Sequence, residues 1–234
     1  MGRSSAEQAL QNRASIVEIA SRLFRERGIE AVSVADVMAA AGMTVGGFYK
    51  HFASKEALVD EAVALAFGDV LTLWNGLLDR PGQSHADTRA RLVAQYLRPN
   101  PQRQCPIIAF APHATGKDDG APARGTYDRG TGALLARFFG EAPPGSDGAG
   151  PADGGGDAPD PQALLLFAAM VGARVLAGAA GETDWVSAVK AAVVEAARQQ
   201  AGAPDQCVPD QRAPDQRAPD QPAPDQRAPA SSLR

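Results

Sequence analysis

The sequence predicts an all-α protein. An N-terminal three-helix helix-turn-helix head covers residues 1–54, a helical C-terminal half 55–200, and a disordered tail 201–234. Three observations predict this. Apolar residues recur at spacings of three and four from Ile16 to Leu77, the period of helices with one buried face. Ser, Thr or Asp precedes several of these runs and Gly or Pro follows most of them, as at helix starts and stops. From Ala203 the chain repeats Pro-Asp-Gln every five residues, with almost nothing apolar to bury.

The first helix is expected from about Glu7 to Arg27. Ser5 followed by Gln8 fits a capping box. Ile16, Ile19, Ala20, Leu23 and Phe24 make its stripe, and Gly28 suits a left-handed residue just past its end. Ser33 with Asp36 starts a second, short helix whose inner face is Val34, Val37, Met38 and Ala41, and Gly42 ends it. Thr44 is placed to cap a third helix through its hydroxyl, and Ser54 a fourth that begins at Lys55.

A short helix, a Gly-containing turn and another short helix form a helix-turn-helix unit. In such a unit the second helix lies in the DNA major groove. Here that segment is Val45 to Phe52, with Gly46 and Gly47 side by side. Glycines cost a helix about 1 kcal/mol each, but they let the backbone approach bases and phosphates. Phe48 and Phe52 are expected inward, on Leu23, Val37 and Met38. Tyr49, Lys50 and His51 are left facing out, with groups that bond phosphate oxygens or base edges. Thr44 and the free N–H groups at this helix start suit a phosphate.

Residues 16 to 67 combine A-x-x-L-F-x-x-x-G at Ala20 to Gly28, V-x-D-V-x-x-A-A-G at Val34 to Gly42, and G-x-Y-x-H-F-x-S-K-E-x-L at Gly47 to Leu58. This phrase resembles the N-terminal DNA-binding domain of the TetR/AcrR family of bacterial transcriptional regulators. The resemblance implies an all-α homodimer of about nine helices that binds a pseudo-palindromic double-stranded operator, usually as a repressor. A small-molecule effector in the C-terminal domain would move the helix that begins at Lys55. Carried over by motif position, Thr44, Tyr49, His51 and Lys55 would bind phosphates. Val45, Gly46 and Lys50 would lie nearest base edges, with Ser33 and Gly47 completing the DNA-facing set.

The C-terminal half should open with one long helix, Lys55 to about Leu78, carrying Val59, Val63, Ala66, Val70, Leu73 and Leu77 on its stripe. Pro81 and Gly82 stop it. Ser84 caps a helix from His85 to Leu97, and Pro99 and Pro101 break it. Shorter helices are expected at Pro106 to about His113 and Gly125 to Phe139. Residues 140 to 161 are turn-formers and read as a loop. Asp160 and Pro161 start a helix to about Ala180, rich in Ala and Gly. The last helix, Trp185 to Gln200, is expected to turn Trp185, Val189, Ala192, Val193 and Ala196 inward. By the resemblance, these two helices form a dimer's four-helix interface; closing the monomer's own core is the other reading.

Candidate effector contacts are the large side chains of this half, Phe67, Trp74, Phe110, Phe138 and Phe167, each equally readable as core, together with Cys105. Cys105 precedes Pro106 at an expected helix N-terminus, where the dipole favours a thiolate. His113 lies eight residues on. An electrophile- or oxidant-sensing repressor acting through Cys105 is therefore an alternative, against a small half-buried cap residue.

Composition narrows the remaining classes. The formal net charge is −4, yet residues 1 to 56 hold seven Lys/Arg against six Asp/Glu, which leaves room for a local positive face. A non-specific architectural DNA protein would carry more cations. No phosphate-binding glycine loop, Ser/His/Asp motif or metal cluster is readable among three His and two Cys. No enzyme, cofactor or metal is therefore expected. No run of eighteen uninterrupted apolar residues exists, so no membrane partner is expected. Two cysteines make no disulfide framework, and a reducing cytoplasm is the expected location.

Overall fold

A computed structural model describes residues 2–98, 104–115, 122–140 and 160–202. Every regular element among them is helical. The chain runs α1 (Gly2–Arg27), α2 (Val34–Ala40), a 3₁₀ helix (Val45–Lys50), α3 (Lys55–Leu78), α4 (His85–Tyr96), α5 (Pro106–Ala114), α6 (Pro122–Phe139), α7 (Pro161–Ala180) and α8 (Asp184–Gly202). The expected loop between residues 140 and 161 falls almost wholly outside the described residues, as does the repeat with Cys207.

The caps follow local chemistry. Ser33 and Asp36 form the expected capping box. Ser54 accepts from the Ala57 N–H at 3.2 Å, Ser84 from the Asp87 N–H at 3.1 Å, and Asp160 from the Gln162 N–H at 3.0 Å. Gly28 takes the left-handed conformation at φ 85° where α1 ends. One start differs. No proline stands in Gly2–Ala6, and α1 continues back through Ser5, which is a helical residue and not its cap.

α3 is the central element. Its Leu58, Val59, Ala62, Val63, Ala66, Phe67, Trp74 and Leu78 are all buried, against α1 on the head side and α4, α5 and α6 beyond. α6 crosses it closely. A Cβ built on Gly130 would sit 2.4 Å from the Phe67 ring, so only glycine lets these helices meet there. The Arg137 guanidinium donates to Asn75 Oδ1 at 2.6 Å and to the Asp79 carboxylate, fixing the far end of the crossing.

α7 and α8 pack on each other and leave an apolar outer face. The expected inner face of α8 is corrected by one position. Val186, Val193 and Ala197 are buried, whereas Ala192 and Ala196 are exposed and Trp185 is 50% exposed. Leu165 on α7 is 71% exposed. By length and composition alone α7 could cross a membrane, but Ala163, Leu166, Phe167, Met170 and Ala173 are buried within this helical body.

Candidate nucleic-acid interface

The connection into the reading segment is a Schellman turn. The Gly42 N–H donates to the Ala39 carbonyl at 3.0 Å and the Met43 N–H to the Met38 carbonyl at 2.8 Å, with Gly42 at φ 67°. Thr44 then holds the extended backbone of an N-cap. Its hydroxyl makes no capping bond, contrary to the reading from sequence. That hydroxyl stays exposed, beside N–H groups that have no helical acceptor.

The segment that follows is a 3₁₀ helix rather than an α-helix. Six residues with two adjacent glycines offer too little propensity for a regular helix, and packing decides the geometry instead. Phe48 is fully buried and stacks on Phe52 with ring centroids 5.5 Å apart. A Cβ on Gly47 would lie 3.7 Å from the Met38 methyl, an ordinary contact, so Gly47 lies directly over the short α2. With the phenylalanines inward, the alternation presents Val45 (47% exposed), Gly46, Tyr49 (71% exposed) and Lys50 to solvent. The Tyr49 ring stands edge-on to Phe48 at 5.2 Å, which props it outward.

The remaining residues expected at DNA flank this turn. His51 is half-buried. Lys55, in the first turn of α3, donates from Nζ to the Ile29 carbonyl at 2.8 Å, which ties α3 to the loop between α1 and α2 and leaves two N–H donors. Ser33 is exposed, but its N–H and hydroxyl both donate to the Asp36 carboxylate, at 2.8 and 2.5 Å. Those two bonds hold the Asp36 carboxyl below its ordinary range.

Sequence reasoning missed the residue that clamps the turn. Arg13 of α1 forms a two-pronged pair with Glu61 of α3, one prong at 2.6 Å. Its Nε donates to the His51 carbonyl at 3.4 Å, and the guanidinium lies 4.7 Å from the Phe52 ring centroid. No local signal marks this, because the partners are 38 and 48 residues away.

A cavity of about 460 Å³ lies beneath the head. Val70, Leu73, Trp74 and Leu77 of α3 and Leu92 of α4 give it an apolar wall, and Arg25, Asp69, Tyr96, Arg98, Cys105 and Arg174 stand around it. Of the six residues expected at an effector, Trp74 and Cys105 line it. Phe67, Phe110, Phe138 and Phe167 are core side chains outside the lining. Phe138 and Phe167 stand edge to face at 5.3 Å, and each meets Trp74 from behind.

Cys105 does occupy the N-cap of α5. Burial nevertheless pushes its thiol up, outweighing the nearby Tyr96 hydroxyl and the Ile107 and Ile108 N–H groups. His113 does not reach it; Nδ1 stands 3.5 Å from Glu30 in the loop after α1. The Tyr96 hydroxyl lies beside the thiol, without a hydrogen bond of normal geometry. Burial, first, and the thiol keep the phenol neutral, well above its ordinary range.

The family described as bacterial regulatory proteins, tetR family, matches residues 16–62, the stretch that builds the head and its junction with α3. Over these residues the chain is similar to the tetR family. The HTH-type transcriptional repressor KstR2 of Rhodococcus jostii (strain RHA1) is 34% identical over 84 residues, 36% of this chain and 41% of that protein. The match thus spans about two fifths of the relative's length. Solved structures match over most of the chain. A TetR transcriptional regulator from Chloroflexus aurantiacus J-10-FL aligns at 25% identity over 83% of this chain and 98% of its own, with TM-score 0.60. E. coli NemR in its reduced form aligns at 20% identity over 78% and 95%, with TM-score 0.60, a likeness of fold alone.

Proposed function

We propose that this protein is a ligand-responsive transcriptional repressor of the cytoplasm. It binds a pseudo-palindromic operator as a homodimer and leaves it when a small-molecule inducer fills the cavity. The observation that carries the reading is the 3₁₀ turn. Its Phe48 is locked in the core while Val45, Tyr49 and Lys50 stand exposed on a TetR-family head. Tyr49 and Lys50 reach base edges and phosphates; Thr44, His51 and Lys55 add phosphate contacts. Val45, Gly46 and Gly47 leave the backbone close to the groove, and Ser33 fixes the start of α2 at its edge.

The outer apolar face of α7 and α8 supports the homodimer. Leu164, Leu165, Val175, Leu176 and Trp185 are all exposed in a single chain, and a two-fold partner presents the same face in return. The burial of Cys105 weighs against the alternative of a thiol-sensing repressor.

The test is an electrophoretic shift on DNA from immediately upstream of this reading frame, with excess random duplex at fixed salt. Specific retention is expected. The double change Tyr49→Ala, Lys50→Ala should weaken it at least about tenfold while far-ultraviolet circular dichroism stays helical. Equal retention by the folded variant would refute the reading-head assignment.

A further inference from the structure

We propose that the cavity takes a monoanionic amphiphile, an apolar body with a single carboxylate head, and that Arg25 grips the head. This rests on the reading of the cavity as the effector site.

Three features select that chemistry. The first is charge: three arginines, Arg25, Arg98 and Arg174, face one carboxylate, Asp69. The chain as a whole has net charge −4, so a cationic cavity is a local arrangement rather than an average property. The second is pairing. Arg25 spends its Nε on the Ser21 carbonyl at 3.0 Å, and neither it nor Arg98 forms an ion pair among the described residues. Arg174 donates to the Arg98 carbonyl at 3.0 Å. The third is an orphan. Tyr96 lines the cavity, and its buried hydroxyl stands beside the Cys105 thiol without a hydrogen bond of normal geometry. Buried polar groups are almost always satisfied, and a neutral phenol in the same lining as Arg25 and Arg98 suits a carboxylate. The apolar body lies along Leu73, Trp74, Leu77 and Leu92. Asp69 disfavours a second negative charge on the ligand.

The placement of Arg25 has a mechanical side. It sits in the last turn of α1, next to Leu23 and Phe24, which belong to the same core as Phe48. A carboxylate held by Arg25 therefore connects the cavity to the helix that carries the head.

The sequence contains two tryptophans, Trp74 in the cavity wall and Trp185 on the outer face. The full-length Trp185→Phe protein therefore reports on the cavity alone. Its emission is titrated with decanoate, decanamide and decylamine, which share a chain and differ in charge. Decanoate is expected to shift the Trp74 emission and to bind roughly ten- to a hundredfold more tightly than decanamide, as a charged hydrogen bond implies. Decylamine should bind weakest. Arg25→Gln in that background should erase the preference, and Tyr96→Phe should reduce it, so the inference does not hang on one variant's folding. If decanamide or decylamine moves Trp74 as readily as decanoate, the anionic preference is wrong and the effector cavity stands. If none of the three moves it, both the preference and the cavity's role as effector site fall.

Discussion

Arg13→Ala should loosen the head without removing any residue proposed to touch DNA. Arg13 meets Glu61, the His51 carbonyl and the Phe52 ring at once. The ion pair is more than a third exposed on both sides, 39% and 36%, so screening limits it to at most about 1 kcal/mol. The contact over Phe52 adds about 0.5–1 kcal/mol, and the long bond to His51 about 0.5 kcal/mol. The expected loss is about 2 kcal/mol, or roughly 4–8 °C in melting temperature for a chain of this size. Melting is followed by circular dichroism at one fixed protein concentration, because the homodimer proposed above would make the midpoint depend on concentration. Operator affinity is measured on the same samples and should fall, since the end of the reading turn loses its tie to α3. The pairing itself is tested by Glu61→Gln and the double variant. If Arg13→Ala and Glu61→Gln lower stability additively, the two side chains are not coupled and the clamp is refuted.

Three further outcomes are expected. Gly130→Ala should cost about 1–3 kcal/mol in a urea titration by driving a methyl into the Phe67 ring, and Phe67→Leu should recover part of it; an unchanged midpoint would contradict the close crossing of α3 and α6. His85 carries a pKa lowered chiefly by burial, then by the Arg89 charge. Because the unfolded state takes up its proton first, stability should fall as pH drops below about 6.5, with no contribution above that. His85→Gln should flatten this slope, and an identical pH profile would remove His85 as its source. Finally, Cys207→Ser leaves Cys105 as the only thiol. Native Cys105 should react with iodoacetamide near neutral pH more slowly than free cysteine, and a faster reaction would overturn the effect of burial on it.

Much of the fold was legible because the helices of the head and α3 are strongly two-faced. Ile16, Ala20, Leu23 and Phe24, then Val37 and Met38, are buried as their spacing requires. The inward phenylalanines and outward Tyr49 and Lys50 follow from a single alternation. Legibility fails where that contrast fails. In α8 the competing stripes both mix alanine and valine, so Ala192 and Ala196 read as well as Ala197, and the bulk of Trp185 pointed to the wrong one. The 3₁₀ geometry escaped because six residues carry no period of their own. The cavity escaped because α1, α3, α4 and α7 each contribute side chains far apart in sequence. At Cys105 the sequence shows the helix start but not the burial that outweighs it.

The brevity of the reading turn sets a limit on information. A six-residue helix with three outward side chains distinguishes on the order of three or four base pairs. That many base pairs recur constantly by chance, whereas a genome offers about a million or more competing sites. A lone head is therefore a poor address. In the proposed homodimer, two heads at a fixed separation multiply their selectivities, and the separation itself becomes a letter of the code. Whatever alters the distance between heads then erases the message without touching a single base contact.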